Sequence, residues 1–244
     1  MLPMGAVRDA WEAMPKVTLV ELLRGRVPCI LVPHPSDGVL GCGGLIAQCN
    51  AAGITPEIVI LTDGSHSHPN SREYPPERLR AIREEESRRS LRLLGLPSGH
   101  TWFLGHEDQE DLPVAGPGFQ LAARRLSGIC ESQGCTLLIA PWRADGHADH
   151  EATATLAEHV ALRDELDLIF YPLDCWSLND DALVEAEMPQ GWRLDIAAEA
   201  ALKQQAVMVH ETQYGGLITD DSESRPCEKQ LAACCRPVEI YLAA

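Results

Sequence analysis

The chain has 244 residues, with 20 lysines and arginines against 36 aspartates and glutamates, so its formal net charge is -16. Proteins that bind nucleic acid or anionic membranes rely on clustered lysine and arginine, so this balance argues against both kinds of partner. The length suffices for one hydrophobic core, and we predict a single domain over residues 1–244 with an N-terminal helical extension over residues 1–25.

The nine cysteines include no Cys-x-x-Cys pair, and most lie in apolar segments. This usage favours reduced, buried thiols over a disulfide framework. The first residues lack the basic-then-apolar order of a secretion signal, and no apolar run reaches the roughly 20 residues of a membrane span. We therefore predict a cytoplasmic protein with no membrane partner, and a homo-oligomer is compatible with the sequence.

Strand and helix patterns alternate along the chain. The apolar run Cys29–Val32 predicts a buried strand, helical spacing follows over Gly44–Ala52, and Ile58–Leu61 is the next apolar run. This order predicts a right-handed βαβ unit. Further strands are predicted at Thr101–Leu104, Cys135–Ala140, Asp167–Tyr171, Arg193–Ile196 and Val238–Leu242, and helices at Pro75–Leu94, Phe119–Cys130, Glu151–Leu162 and Lys203–His210.

Two of these strands are followed by side chains that commonly bind metals. His34 and Asp37 follow the first strand, and His147, Asp149 and His150 follow the strand that ends at Ala140. Open α/β sheets build their sites at the carboxyl ends of strands. Two imidazoles and one carboxylate are a common ligand set for a catalytic zinc with an open position, and His34, Asp37 and His150 can provide it.

The long predicted helix places charged residues on its apolar side. Helical spacing puts Arg83 and Glu86 on the same stripe as Leu79 and Ile82. A charged pair that faces a core is either paired internally or reaches a cavity. Two interpretations follow: an internal ion pair between Arg83 and Glu86, or an Arg83 side chain that projects into the site.

Two further stretches are interpreted as structural. The glycines around Gly41–Gly44 lack the Gly-x-Gly-x-x-Gly spacing of a phosphate loop, so we expect them to permit close backbone packing. His66 and His68 could act as metal ligands, but their polar surroundings favour a solvent-exposed loop.

The stretch His34-Pro-Ser-Asp-Gly-Val-Leu-Gly-Cys-Gly-Gly44 resembles the signature of the PIG-L/LmbE family of zinc-dependent N-deacetylases, His-Pro-Asp-Asp-Glu followed by a glycine-rich helix start. Further matches occur in the same order and run from about Val27 to Gln213. They are Leu61–Gly64, Arg83-x-x-Glu86, Phe103–Gly105 with Asp108 beyond it, Gly146–His150, and Lys203-x-x-Ala206 with His210.

The resemblance implies a Rossmann-like three-layer α/β sandwich with a mostly parallel central sheet. It implies that His34, Asp37 and His150 bind Zn²⁺, and that an N-acetyl or N-acyl group is hydrolysed from an amino-sugar conjugate of the N-acetylglucosamine type. The histidine matching His147 would stabilise the oxyanion or protonate the leaving amine, with Asp149 orienting it. Arg83 and Asp108 would contact the substrate, and His210 is a weaker candidate for the pocket wall.

The sequence departs from the family signature at its centre, because Ser36 stands where the family has its general-base aspartate and Gly38 replaces the following acid. A neutral hydroxyl is no base near pH 7, and losing a positioned base typically costs about 10²–10⁴-fold in rate. Three explanations are compatible with Ser36. The residue is an engineered inactivation; another carboxylate such as Asp149 or Glu107 supplies the base; or the chain is a natural non-hydrolytic relative that binds zinc and sugar without turnover.

Overall fold

The protein is described by a computed structural model over residues 1–108, 112–114, 116–221 and 228–244. The strands are β1 (Leu2–Pro3), β2 (Lys16–Val17), β3 (Pro28–Val32), β4 (Glu57–Thr62), β5 (Thr101–His106), β6 (Leu137–Pro141), β7 (Asp167–Tyr171), β8 (Leu183–Val184), β9 (Gly191–Asp195) and β10 (Val238–Ala243). The helices are α1 (Met4–Ala13), α2 (Leu19–Leu23), α3 (Asp37–Ala51), α4 (Pro76–Leu93), α5 (Pro117–Gln133), α6 (Ala148–Asp164), α7 (Ala200–Met208) and α8 (Glu228–Cys234).

Eight strands form one sheet in the order β2-β9-β10-β7-β6-β3-β4-β5, and β1 pairs with β8 separately. The five strands β5, β4, β3, β6 and β7 are parallel, whereas β10 runs antiparallel to both β7 and β9. From β3 the chain winds outward through β4 to β5 and then returns to β6 on the other side of β3. This reversal opens a crevice at the carboxyl ends of β3 and β6, where ligands bind in open α/β sheets.

Helices cover both faces of the sheet. One core contains side chains of α1, α5 and α6 against one face, and a second contains side chains of α2, α3, α4 and α7 against the other. The strands of the sheet centre are buried on both faces, which accounts for their continuous apolar sequences. The predicted three-layer α/β sandwich with a mostly parallel sheet is confirmed.

The first 25 residues contribute to the core. They contain α1 and α2, as their helical pattern predicts, but also the short strands β1 and β2. Met4, Val7 and Trp11 on α1 are fully buried, and the Trp11 ring lies 5.8 Å from that of Trp142 and 4.7 Å from that of Trp176. The segment packs against residues that are distant in sequence, so its own pattern does not reveal how closely it joins the fold.

Helix α3 begins at Asp37, well before the predicted start at Gly44. Its glycines hide the helical pattern, but they allow close packing of other elements. A Cβ at Gly41 would lie 2.6 Å from Tyr171 Cδ2, one at Gly43 would lie 2.8 Å from Lys203 Cγ, and one at Gly44 would lie 2.5 Å from Ile196 Cγ2. The predicted close-packing role of these glycines is confirmed.

The cysteines in the described residues are free thiols, and all but Cys235 are buried. This agrees with the prediction of reduced core thiols. Within the described residues, no helix has both the length and the apolar character that a membrane span requires.

Candidate metal centre and cavity

The carboxyl ends of β3 and β6 bring together the predicted metal-binding residues. His34 follows β3, Asp37 begins α3, and His150 lies in the first turn of α6, directly after the turn that follows β6. Each of the three offers a ligand atom, and these atoms lie within 4.8 Å of one another. They are also well shielded from solvent, since the exposed fractions of the three side chains are 15%, 10% and 1%.

The two imidazoles converge on one carboxylate oxygen. His34 Nδ1 lies 2.9 Å from Asp37 Oδ2, and His150 Nε2 lies 3.4 Å from the same oxygen. The backbone N–H of His34 also donates to Asp37 Oδ2 at 3.1 Å, which fixes the carboxylate relative to the end of β3. Two ring nitrogens and a carboxylate oxygen around one point are the donor set that a divalent transition metal takes.

The outer nitrogen of each ring meets a second carboxylate. His34 Nε2 lies 2.9 Å from Asp149 Oδ2, and His150 Nδ1 lies 2.5 Å from Asp145 Oδ2. Metal-binding histidines commonly donate their second N–H to a carboxylate, which fixes the ring and its tautomer. Both predicted ligand histidines have this arrangement, so the residues present fit a metal ion.

The electrostatics of the metal-free cluster follow from these contacts. Burial lowers the pKa of His34, but the charge of Asp37 and hydrogen bonds to Asp149 and Asp37 outweigh it and raise the pKa to about 9. For Asp37, burial raises the pKa, yet the two histidines lower it well below its usual range. The chain therefore balances this buried carboxylate with imidazolium charge when no metal is bound.

Asp145 and Asp174 are site residues that the sequence analysis missed. Asp145 is buried and accepts hydrogen bonds from the backbone N–H groups of Leu173, Asp174 and Cys175, at 2.8, 2.9 and 3.1 Å. It thereby ties the His150 ring to the loop after β7. Asp174 forms an alternative ligand group with His147 and His150. The position of Asp145, five residues before His150, was a usable signal, whereas Asp174 approaches only through the fold.

His147 is the N-terminal cap of α6. Its Nδ1 accepts a hydrogen bond from the backbone N–H of Asp149 at 3.1 Å, so a neutral ring carries its proton on Nε2. Burial, with the charges of His150 and His34, lowers the pKa of His147, which favours that neutral ring. The side chain is 36% exposed and lines the cavity described next. His147 can therefore offer a hydrogen-bond donor to a bound molecule.

A cavity of about 340 Å³ opens above the cluster. The predicted residues His34, Arg83, Asp108, His147 and Asp149 all line it. The remaining lining residues, which the sequence analysis did not select, are His66, Ser67, Pro69 and Gln213. The prediction of a solvent-exposed loop at His66 is wrong: the loop folds back over the site because Asp108 accepts hydrogen bonds from its backbone.

Asp108 is buried and accepts backbone hydrogen bonds from Gly64 at 2.8 Å and His66 at 3.1 Å. Arg83 is also buried, and its Nη1 donates to the carbonyl of Gly64 at 2.9 Å. Gly64 has a positive φ of 70°, and a Cβ there would lie 2.6 Å from the Arg83 guanidinium. A larger residue at this positive φ would be strained and would press on the guanidinium, so Gly64 allows Arg83 to lie against the loop.

The two interpretations of Arg83 can be compared with its contacts. Among the described residues, no ion pair within 4.0 Å joins Arg83 to Glu86. Glu86 instead accepts hydrogen bonds from the backbone N–H and hydroxyl of Thr212, at 2.9 and 2.6 Å. Arg83 lines the cavity, and its Nε is buried without a hydrogen-bond partner. This geometry favours the cavity-facing interpretation over the internal ion pair.

Ser36 and His210 lie outside the cavity lining. Ser36 is buried, and its side chain hydrogen-bonds with the Tyr214 hydroxyl. His210 is fully buried, with Nε2 3.0 Å from Ser90 Oγ, so it lies behind the wall that Arg83 presents. Of the two carboxylates proposed as a replacement base, Asp149 lines the cavity, whereas Glu107 is exposed and is not among the lining residues.

Comparison with known proteins agrees with the geometry. Residues 29–161 match the family described as GlcNAc-PI de-N-acetylase, PIG-L. The chain is 29% identical over 196 residues to diacetylchitobiose deacetylase of Thermococcus kodakarensis, covering 78% of this chain and 70% of that protein. It is 29% identical over 165 residues to 2'-N-acetylparomamine deacetylase of Streptomyces fradiae, covering 63% and 57% of the two.

The fold is shared with a solved deacetylase. The structure of N,N'-diacetylchitobiose deacetylase from Pyrococcus horikoshii, in complex with an inhibitor, superposes with a TM-score of 0.62 at 25% sequence identity. The superposition covers 84% of this chain and 76% of that one. The relatives named here are deacetylases of N-acetylated sugars.

Proposed function

The chain belongs to the PIG-L family of GlcNAc-PI de-N-acetylases, and from this premise we propose that it is a zinc-dependent deacetylase of N-acetylated amino sugars. The reaction breaks the amide C–N bond with one water and releases acetate and a free amine. Support comes from the activities of its relatives, diacetylchitobiose deacetylase and 2'-N-acetylparomamine deacetylase. The proposed unit is one domain over residues 1–244.

The observation that carries the proposal is the paired support of His34 and His150. Each ring turns one nitrogen toward Asp37 and fixes the other on a carboxylate, Asp149 or Asp145. We propose that His34, Asp37 and His150 hold Zn²⁺. A zinc ion bound there supplies an activated water and polarises the substrate carbonyl.

His147 is proposed to stabilise the oxygen that develops negative charge at the amide carbonyl. Its Nδ1 is occupied by the Asp149 backbone N–H, so Nε2 carries the proton of the neutral ring. A fixed donor of this kind is most effective in a site that excludes water. Because the neutral ring has only this one proton, His147 acts as a hydrogen-bond donor, and the proton for the leaving amine must come from another group.

We propose Asp149 as the general base in place of the aspartate that Ser36 replaces. Ser36 is a buried neutral hydroxyl bound to Tyr214, so it cannot accept the proton. Asp149 is a carboxylate in the cavity wall, next to His34 and at the start of the helix that His147 caps. It can take the proton from water and later give it to the leaving amine, so that one carboxylate serves first as base and then as acid.

The sugar is proposed to bind between Arg83 and the loop held by Asp108. Arg83 lines the cavity of about 340 Å³ and can supply a cationic donor, and the cavity is polar along most of its wall. A site of this size lies at the small end of ligand pockets, which span about 300–1,000 Å³, and suits one sugar ring.

The test measures two quantities: amine release from N-acetylglucosamine derivatives, and the metal content of the purified protein. We expect stoichiometric zinc and measurable release. Asp149→Asn and Asp145→Asn each remove a carboxylate behind a ligand histidine, so each should weaken zinc binding by about 10–100-fold. At saturating zinc, only Asp149→Asn should reduce kcat by about 10²–10⁴-fold, which makes Asp145→Asn the matched control.

Ser36→Asp separates the remaining outcomes. If turnover appears only in this variant, the base is missing in the chain as it stands and the assignment to Asp149 is wrong. If neither protein releases amine while both bind zinc and N-acetylglucosamine, the chain is a binding protein without turnover. If the purified protein holds no metal, the zinc proposal fails.

A further inference from the structure

Three cysteines come together at the edge of the sheet opposite the candidate metal centre. Cys29 is the second residue of β3, Cys130 lies in the last turn of α5, and Cys135 lies between α5 and β6. Each offers a sulfur atom, and the three sulfur atoms lie within 4.8 Å of one another. The histidine site is built at the carboxyl ends of β3 and β6, so this cysteine cluster, Cys29, Cys130 and Cys135, is a separate group at their amino ends.

The C-terminal turn of α5 accounts for two of the three cysteines. Gly134 has a positive φ of 67°, and the backbone N–H of Cys135 donates to the carbonyl of Cys130 at 2.9 Å. This is the Schellman arrangement of a helix end, in which the side chains on either side of the turn commonly make an apolar contact. Cys29 arrives from a different element, the central strand β3, and the helix end does not require a cysteine there.

The cysteine cluster is shielded from water. The exposed fractions of Cys29, Cys130 and Cys135 are 0%, 2% and 5%, and all three belong to the apolar core between the sheet and α5. The three thiols hydrogen-bond with one another. Hydrogen bonds from the thiols of Cys130 and Cys29 lower the pKa of the Cys135 thiol, so one of the three sulfur atoms is available as a thiolate.

The charges near the cysteine cluster favour a cation. Cys130 lies at the C-terminus of α5, and a helix C-terminus carries a partial negative charge. The pKa of the Cys130 thiol is raised, chiefly by its hydrogen bond to Cys135, and also by burial and by the charge of Asp164. A buried thiolate is costly without a counter-charge, and a bound cation would supply it.

The number and kind of ligand atoms narrow the choice of ion. Within the described part of the chain, this ligand group consists of three sulfur atoms and nothing else. Soft thiolates select Cu(I), zinc or iron–sulfur clusters, and structural zinc almost always takes four ligands. Cu(I) is a closed-shell ion that is stable with two or three sulfur ligands. A disulfide would use only two of the three sulfur atoms.

We propose that the cysteine cluster is a binding site for a thiophilic monovalent ion, and that Cu(I) is the ion its three sulfur ligands fit. Each thiol that binds the ion loses its proton to solvent, and the copper keeps its oxidation state. The bound ion connects β3 to the turn between α5 and β6, so it stabilises the folded chain. The proposal is independent of the proposed deacetylase function, because the two sites lie at opposite ends of the same strands.

The experiment titrates the reduced full chain with Cu(I) under anaerobic conditions, with zinc added first to occupy the histidine site. Bicinchoninate is the competing ligand, and its coloured Cu(I) complex reports the free ion. We expect the chain to withdraw one Cu(I) from the competitor, with a thiolate-to-copper charge-transfer band in the ultraviolet. X-ray absorption at the copper edge should show sulfur ligands alone. Amine release should be the same with and without bound copper.

Cys135→Ala and Cys130→Ala each remove one sulfur ligand. Each should weaken Cu(I) binding by more than the roughly 10–100-fold that the loss of an outer-shell partner costs. Cys49→Ala is the matched control, because Cys49 is also fully buried but lies in α3, in the core on the other face of the sheet. It should bind Cu(I) as the unchanged chain does. Circular dichroism checks that each variant is folded, and Cys135 is the least buried of the three, so its replacement should disturb the core least.

Three results would overturn the proposal. In the first, the unchanged chain withdraws no Cu(I), a result that does not depend on any variant being folded. In the second, folded Cys135→Ala and Cys130→Ala bind Cu(I) as tightly as the unchanged chain, which would place the ion elsewhere. In the third, hydrogen peroxide produces a Cys130–Cys135 disulfide, detected by mass spectrometry, while the reduced chain takes up no Cu(I); the cluster would then be a redox pair. Absence of amine release would concern the proposed deacetylase function alone.

Discussion

Two buried polar clusters lie along α3, one at its N-terminus and one in its middle. The site cluster consists of His34, Asp37 and His150. The ion-pair cluster consists of Lys203, Glu239 and Tyr241, and its contact with α3 is through the backbone N–H groups of Gly44 and Leu45. Both are charged and shielded from solvent, yet their hydrogen bonding differs.

In the ion-pair cluster each oxygen of Glu239 has two donors. Oε1 accepts from Gly44 N and Lys203 Nζ, both at 2.7 Å, and Oε2 accepts from Leu45 N and the Tyr241 hydroxyl, both at 2.9 Å. Burial lowers the pKa of Lys203, but the charge of Glu239 outweighs it and raises the pKa above its usual value. This cluster is complete within the chain and joins α3, α7 and β10.

In the site cluster, by contrast, two imidazole nitrogens crowd one carboxylate oxygen, and both are held there by carboxylates behind them. The ion-pair cluster therefore matches each acceptor with its own donors, whereas the site cluster directs two imidazole nitrogens at one oxygen, as expected of residues proposed to hold a metal ion.

The largest expected effect is on the ion-pair cluster. Glu239→Ala leaves the buried Lys203 ammonium without its counter-charge, and we expect the free energy of unfolding to fall by about 3–5 kcal/mol. Urea unfolding followed by circular dichroism measures it. Replacing both partners, as Lys203→Met with Glu239→Leu, should recover much of the loss. A loss below about 1 kcal/mol in the single variant would contradict a structural role for the pair.

The second prediction concerns metal addition to the site cluster. Free zinc at a hundred times its dissociation constant should raise the free energy of unfolding by about 2.7 kcal/mol, because only the folded chain assembles the site. A chelator should reverse the gain, as measured by thermal unfolding. His150→Ala should abolish the stabilisation by zinc. His100→Gln should not change it, because His100 lies at the amino end of β5, away from the carboxyl ends of the strands where the site cluster lies. An unchanged response in His150→Ala would place the metal elsewhere.

The third prediction tests the close packing that brings Lys203 to α3. Gly43→Ala places a Cβ 2.8 Å from Lys203 Cγ, so we expect a loss of about 1–3 kcal/mol in unfolding free energy. Gly128→Ala is the matched control in α5, where a Cβ meets nothing within 4 Å. It should stabilise the protein by about 0.5–1 kcal/mol through helix propensity. Equal effects of the two changes would rule out packing as the reason for Gly43.

The smallest effect concerns His210, a buried imidazole that belongs to neither cluster. Burial, followed by the charge of Arg83, lowers the pKa of His210 to about 3. The unfolded chain, with a histidine pKa of about 6.5, takes up the proton first as pH falls. Stability from this group is therefore present above about pH 6.5 and is lost progressively toward pH 3.

Between pH 7 and 5.5 the linkage amounts to about 1 kcal/mol of unfolding free energy. The variant His210→Leu should show that much less dependence on pH over this interval, measured by urea unfolding at both values. Ser90 keeps its hydrogen bond to the carbonyl of Ser87 in the variant, so no hydroxyl is left unpaired. An identical pH dependence in both proteins would show that His210 is not buried in neutral form.

The parallel strands of the sheet centre could be predicted from the amino-acid sequence alone. Strands that are buried on both faces have continuous apolar sequences, such as Cys29–Val32 and Cys135–Ala140. It also determined the placement of His34, Asp37 and His150 after two such strands, since parallel strands end at one edge of a sheet. Short motifs carried the family assignment, which the match over residues 29–161 confirmed.

Which polar residues line the cavity, and which join distant elements of the fold, depends on contacts that the sequence pattern does not show. Asp145 lies five residues before His150 and Asp149 lies directly before it, yet Asp145 ties the His150 ring to the loop after β7 and Asp149 lines the cavity. Glu86 and Arg83 lie on the same face of their helix, but Glu86 accepts a hydrogen bond from Thr212, whereas Arg83 lines the cavity. The residues that form these hydrogen bonds lie far apart in sequence. The spacing of residues within one element therefore cannot reveal a contact with a residue of a distant element.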